Sequence, residues 1–482
     1  MSHAVADPHD ALPRDLRALA RPPRWLQAAA DAPALIRALT RRVPEIASGD
    51  VALKACEVRQ VRIKRDVCAA LYRVRVSDGE AAPDRVVELH GEVIPPGRRQ
   101  PRATASGTFG SPEWRCGLPE LGMIMTTESP DTALRALPAL TDPGAAGELV
   151  ERAIRSAAAR YAGFRVESCR PRVARYKPGS RCTIVYDLDL GADAPATWPR
   201  AVVAKTYHGD KGRTAFDGMR ALWASPLRRA SVTIAEPLGF LPAENVLMQR
   251  FIPHRRTLKD LLGSSLAAGG AEALADLASV IEQAAHGLAA LHRSGVDAAR
   301  TVTWDDEVAA TRELIRRLTA VVPSLAGSAQ NLLDAQARVA AAHPAQPPVA
   351  AHGSFRPAQV VLDDAHRIGF IDFDGFCMAE PAMDVALFRA TLRDAGLRAL
   401  EDGSPAGDRE ARRGEHLALL EVECDRFLAA YERVVPISRP RVALWETTEA
   451  LVAVLHCWTK VKFDRLPYRL AVLQHQLPET ET

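Results

Sequence analysis

The chain has 482 residues, 47% of them apolar and 25% charged, with 62 Lys and Arg against 59 Asp and Glu. The length exceeds one ordinary domain, and the near-neutral charge excludes a general polyanion binder, so neither nucleic acid nor an acidic membrane surface is an expected partner. The first residues mix acids and prolines without an apolar core, and no apolar run reaches the ~20 residues of a membrane span, so a cytoplasmic protein without membrane segments is expected.

Residues 1–50 alternate short helical patterns with proline and read as a helical or partly disordered lead-in. Residues 51–150 form a β-rich accessory region: Val58 to Arg65, Val67 to Val76 and Arg85 to Ile94 have strand character, with a turn after Ser77 and a Gly/Pro/Arg loop from Pro95. A faint internal repeat aligns Cys68 to Tyr72 with Cys182 to Tyr186, and Glu92 with Lys205. Duplication and chance similarity of two hairpins both explain it. Residues 151–252 form a second strand unit, in which Lys177 to Ser180 is a turn with Pro178 fixing one corner and Gly179 taking a positive φ. Residues 253–482 are mostly helical; Leu274, Leu277, Ile281, Leu288 and Leu291 share one face, and Gly295 ends that helix. The cysteines lie far apart with no C-x-x-C pair, which predicts buried thiols rather than a zinc site.

Charged groups in apolar runs carry the chemistry. Lys205 stands within Val202 to Tyr207, where an unpaired ammonium is costly, so it needs either an anionic partner or the solvated face of an edge strand. Asp372 follows the apolar run from Ile368, at a strand end where a cation finds oxygen ligands or where a carboxylate caps a turn. The turn at Lys177 and Gly179, with Arg181 beside it, offers backbone N–H groups and two cations to phosphates.

The stretch from His352 through Ser354 to Gln359, followed by Ile371-Asp372-Phe373-Asp374 and by Glu380 to Asp384, resembles the catalytic segments of the aminoglycoside phosphotransferase family, which includes the choline kinases. Strands at Arg200 to Tyr207, Ala235 to Phe240 and Val246 to Ile252, and the helix through Leu291, follow the family's order. The resemblance implies an α+β, protein-kinase-like two-lobe fold, with a small antiparallel β N-lobe over 151–252, a larger helical C-lobe over 253–482 and a catalytic-loop region at 352–384. It implies ATP and Mg²⁺, with transfer of the γ-phosphoryl group to a hydroxyl of a small molecule or modified peptide. Lys205 would contact the phosphates and pair with Asp217, Lys177 and Gly179 would line the phosphate turn, and Met248 and Gln249 would offer hinge backbone to adenine. Asp372 and Gln359 would hold the metal, with Asp374 supporting it and taking part of a catalytic role. His352 and Asp384 would hold the loop.

The chain departs from the family pattern twice. Ser354 stands in place of the loop aspartate and Gln359 in place of the asparagine. Two readings stay open: an enzyme whose Ser354 orients the acceptor, or a pseudokinase, a nucleotide-binding or empty kinase fold that serves as a partner or regulator.

Overall fold

From Val67 to Ser77 buried side chains alternate with half-buried or exposed ones, the period of a strand with one face on a core. In the computed structural model, which describes residues 14–64, 67–79, 82–127, 133–229, 232–403 and 408–477, this segment is the second strand of an antiparallel sheet. Residues 1–13 of the expected lead-in and the end of the expected turn after Ser77 lie outside the described residues.

The chain divides into two units, one of residues 1–130, 305–342 and 447–482, the other of 131–304 and 343–446. In the first, β1 (Ala52–Lys64), β2 (Val67–Ser77), β3 (Arg85–Val93), β4 (Ala105–Ser106), β5 (Arg115–Leu118) and β6 (Met123–Thr127) lie in the order β1-β2-β3-β6-β5-β4. The helix Ala32–Arg42 packs on β1 and starts at Asp31, whose side chain accepts from Ala34 N at 2.9 Å.

In the second unit, β7 (Ser168–Lys177), β8 (Arg181–Asp189), β9 (Ala201–Tyr207), β11 (Pro237–Leu241) and β12 (Val246–Arg250) form a sheet in the order β7-β8-β9-β12-β11, while the short β10 (Thr233–Ile234) pairs elsewhere. The helix Pro143–Ala157 packs on β7 and β11 and starts at Asp142, whose side chain accepts from Ala145 N at 2.9 Å. Beneath this sheet lies a core of Tyr161, Phe164, Tyr186, Val202 and Met248.

The two sheets follow one path. In each, three successive antiparallel strands are joined, beside the third, by the second strand of a later hairpin. The registers agree with the alignment of the sequence repeat. Cys68 faces Val93 as Cys182 faces Thr206, and Ala69 faces Glu92 as Thr183 faces Lys205. The matched tyrosines, both fully buried, do the same work. Tyr72 donates to Ala29 O at 2.8 Å and Tyr186 to Leu140 O at 2.9 Å, each tying its sheet to a carbonyl of the preceding helical segment.

A larger helical lobe follows the second sheet, built from Leu258–Ala268, Ala271–His292, Pro381–Asp402 and Arg413–Glu432. The α+β arrangement expected from the resemblance, a small antiparallel lobe before a helical one and after a β-rich region, is the observed one. Gly295 takes φ +68° just past the helix Ala271–His292. One part of the expected helical lobe sits elsewhere: residues 305–342 and 447–482 cluster with 1–130. The cause is the lead-in helix Arg14–Ala20, whose apolar Leu16 and Leu19 are buried against Ala326–Ala342 and Leu466–Gln476. Trp458 Nε1 donates to Leu19 O at 3.0 Å in the same unit. Helical periodicity marks an apolar face but not the surface that covers it.

Among the described residues no helix is long and apolar enough to cross a membrane. The cysteines are free thiols, and burial pushes Cys68 and Cys424 up to about 12.

Removing either tyrosine hydroxyl strands a buried carbonyl, which costs about 1–3 kcal/mol. Tyr72→Phe and Tyr186→Phe are each expected to lower the urea midpoint of the transition that involves their own unit. Unchanged midpoints in both would show that the shared anchor contributes nothing.

Candidate functional site

β9 carries Val202 and Ala204 into the core and turns Lys205 to the other face, where its side chain is 8% exposed. Its partners come from the chain after the strand Ile368–Phe370. Asp372 ends that strand with φ +69°, and one 3₁₀ turn over Phe373–Gly375 brings Asp374 alongside. A turn rather than a continued strand thus sets the two carboxylates side by side. Lys205 Nζ donates to Asp372 Oδ1 at 2.7 Å and to Asp374 Oδ1 at 2.8 Å. Tyr207 donates its hydroxyl to Asp374 Oδ1 at 2.8 Å, and Arg181 NH1 donates to Asp374 Oδ2 at 2.7 Å.

The electrostatics follow from the geometry. Burial disfavours the Lys205 ammonium, but Asp374 and Asp372 outweigh it and hold its pKa above the ordinary value. Burial likewise acts to raise Asp372, and the Lys205 charge and hydrogen bond overcome it, holding that carboxyl well below the usual range. Burial and then the Asp374 charge push the Tyr207 phenol far up, so it stays a donor.

A second group of contacts holds the loop from His352 to Gln359. Asp384 accepts from His352 N at 2.5 Å and Gly353 N at 3.0 Å, and lies 3.4 Å from His292 Nε2. Burial acts to raise Asp384, yet the hydrogen bonds from His292 and from His352 N hold it below its ordinary value. Tyr431 fixes His292 in turn, its hydroxyl 2.6 Å from Nδ1. The His352 ring packs on Phe373, centroids 4.5 Å apart, and its Nε2 lies 3.1 Å from Ile371 O. Gly353, at φ +74°, crosses the Asp374 turn so closely that a Cβ there would lie 1.9 Å from Gly375 O. Ile371 N donates to Gln359 O at 3.0 Å, which sets Gln359 beside Asp372 in the backbone.

Gln359 suits a cation. Its Nε2 donates to Ser354 Oγ at 3.3 Å, while its Oε1 is buried without a hydrogen-bond partner. A buried carbonyl oxygen left in that state is an available hard ligand. Among the described residues no three His, Cys, Asp or Glu side chains could hold a metal by themselves. A cation at Asp372 and Gln359 would complete its shell with oxygens of water or of a bound ligand.

Residues 203–419, which include Lys205, the loop from His352 to Gln359 and Asp372 to Asp384, match the phosphotransferase enzyme family. The expected likeness to aminoglycoside phosphotransferases holds. No curated protein matches in sequence. Among solved structures, the chain resembles glucosamine kinase at 19% identity, covering 95% of this chain and 99% of that one with a TM-score of 0.45. It also resembles Streptococcus pneumoniae choline kinase (12% identity, 67% and 98% covered, TM-score 0.42) and Plasmodium vivax ethanolamine kinase (12%, 64% and 82%, 0.40).

Set against the phosphotransferase pattern, the structure gathers Lys205, Asp372, Asp374, His352, Ser354, Gln359 and Asp384 around one pair of loops. Two expectations are corrected. Asp217 pairs with Arg213 at 2.8 Å on its own helix, both side chains substantially exposed, and the two aspartates fill the role expected of it at Lys205. Met248 and Gln249 lie inside β12, paired to β9 and β11, so their backbone groups are spent on the sheet and the ladder to β9 ends at Arg250. Lys177 and Gly179 form the expected turn, with Ser180 N donating to Lys177 O at 3.0 Å and Gly179 at φ +66°. Sequence reasoning missed the full role of Arg181 and Tyr207. Their signal was the Lys205 alternation: Arg181 and Tyr207 face each other across the ladder, two residues from Lys205.

A carboxyl held low when folded contributes stability that is full above its unfolded value of about 3.9 and is lost as pH falls through its lower folded value. Wild type is therefore expected to lose stability between pH 5 and pH 3 more steeply than Asp372→Asn, measured by urea unfolding. Parallel losses would contradict the Lys205–Asp372 pair.

Proposed function

We propose that the chain is an ATP-dependent phosphotransferase that moves the γ-phosphoryl group to a hydroxyl of a small molecule or modified peptide. The observation that carries this reading is Lys205 bridging Asp372 and Asp374, with the backbone of Gln359, whose Oε1 is unpartnered, bonded to Ile371 next to Asp372. Phosphoryl transfer has a loose transition state and relies on positioned charge more than on covalent chemistry. Lys205 and Arg181 supply positive charge toward phosphate oxygens, and binding a nucleotide exchanges their carboxylate contacts for phosphate ones. Asp372 and Gln359 would hold Mg²⁺, which neutralises charge on the bridging phosphates. Asp384, His292 and Tyr431 hold the loop that presents Ser354. Cysteines held outside disulfides support a cytoplasmic setting.

In this reading the first sheet is a second, degenerate copy of the nucleotide-binding lobe. Its ladder places Glu92 where Lys205 stands, and a carboxylate there repels phosphates. That sheet adds no nucleotide site.

The rival, a pseudokinase that serves as a partner or regulator, draws its support from Ser354 and Gln359. The test is ATP consumption with choline, ethanolamine and glucosamine as acceptors, wild type beside Asp372→Ala. Acceptor-dependent turnover that falls at least about a hundredfold in the variant is expected. A wild-type rate no higher than the variant's across the panel would favour the pseudokinase.

A further inference from the structure

Ser354 occupies the catalytic loop where a carboxylate is expected, and its neighbours fix what its hydroxyl can do. Gln359 Nε2, 3.3 Å away, can only donate, so Ser354 Oγ accepts there. Ser354 Oγ lies 3.4 Å from His352 Nδ1. On the other side of that ring, Nε2 lies 3.1 Å from the carbonyl of Ile371, which can only accept. The imidazole proton therefore sits on Nε2, leaving the lone pair on Nδ1 for the single proton of Ser354. One lone pair on Oγ remains, and Ser354 is half-buried while His352 is fully enclosed.

We propose that Ser354 and His352 together replace the missing carboxylate as the proton acceptor of the reaction. The inference rests on the phosphotransferase reading. The acceptor hydroxyl hydrogen-bonds to Ser354 Oγ. As its oxygen bonds to the γ-phosphorus, the bond from that phosphorus to the β–γ bridging oxygen breaks, and the electron pair leaves with ADP. The acceptor's proton passes to Ser354 Oγ while the serine proton passes to His352 Nδ1. His352 is then an imidazolium whose Nε2–H still meets Ile371 O, and it returns the proton through Ser354 to solvent after the products leave.

Burial disfavours that imidazolium, and the Asp384 carboxylate favours it. A strong base is unnecessary. The attacking hydroxyl becomes acidic only as its oxygen bonds to phosphorus, and the loose transition state delays that demand. A separation of 3.4 Å is long for a working hydrogen bond, and such contacts tighten when substrate binds.

The test uses the full chain with Mg·ATP, first with water as acceptor and then with the acceptors named above. Ser354→Ala is expected to lower kcat about a hundredfold with little change in KM for ATP, because it removes the relay and leaves the nucleotide contacts. Ser354→Asp restores a carboxylate that needs no imidazole. His352→Asn should therefore cost about a hundredfold in the Ser354 background and much less beside Asp at 354, whereas a merely structural His352 would cost the same in both. A second readout needs no turnover. In ¹⁵N-histidine spectra of the ligand-free chain, His352 should be protonated at Nε2 only, and Ser354→Ala should shift its Nδ1 signal. Protonation at Nδ1, or a wild-type kcat in Ser354→Ala, would overturn the relay alone. Wild-type turnover no higher than Asp372→Ala would overturn the phosphotransferase reading and the relay with it.

Discussion

A buried ammonium without a counter-charge costs several kcal/mol, and Lys205 is placed by its strand where water barely reaches. Much of the site follows from meeting that need. Two carboxylates from one short turn converge on it, and a left-handed residue, Asp372, makes that turn possible. Asp374 in turn draws Tyr207 and Arg181, so β8 and β9 are both tied to the turn after Ile371. An ion cluster of this kind contributes little net stability once desolvation is counted, because its partners mainly cancel a cost. Its value is in placement: it holds cations and carboxylates together, and in the proposed function phosphates and a metal exchange for them.

The loop opposite is fixed by other means. Asp384 gathers two backbone N–H groups of the loop, and His292 and Tyr431 extend that network into the helical lobe. Gly353 passes Gly375 at a distance no side chain allows, which couples the loop to the aspartate turn. Ser354 and Gln359 therefore sit in a scaffold as complete as any carboxylate would need. The two substitutions change the chemistry at the loop without loosening its support.

Much of this was legible in the sequence, for physical reasons. Lys205 and Asp372 stood out because a charge in an apolar run demands a partner, and Gly179 because a turn at Lys177 to Ser180 demands a positive φ. The repeat was legible as Cys and Tyr at matched spacing, and the strand registers carry the same alignment. What stayed hidden depends on contacts between distant segments. Nothing local distinguishes Asp217 from Asp374 as the partner of Lys205, since the choice depends on a turn far along the chain. The inward pairing of Met248 and Gln249 required knowing that β12 is flanked on both sides. The lead-in helix showed an apolar face but not that it would recruit residues 305–342 and 447–482.

The central claim is that Lys205, Asp372 and Asp374 form a nucleotide phosphate site that works through a divalent cation. The most direct measurement is calorimetric titration of ATP into the full chain, with Mg²⁺ and with EDTA, on wild type and Lys205→Ala. The account predicts binding that is strengthened by Mg²⁺ and weakened at least about tenfold by Lys205→Ala, with the variant still folded. ATP affinity that is the same in the wild type and the folded variant, with and without Mg²⁺, would contradict it.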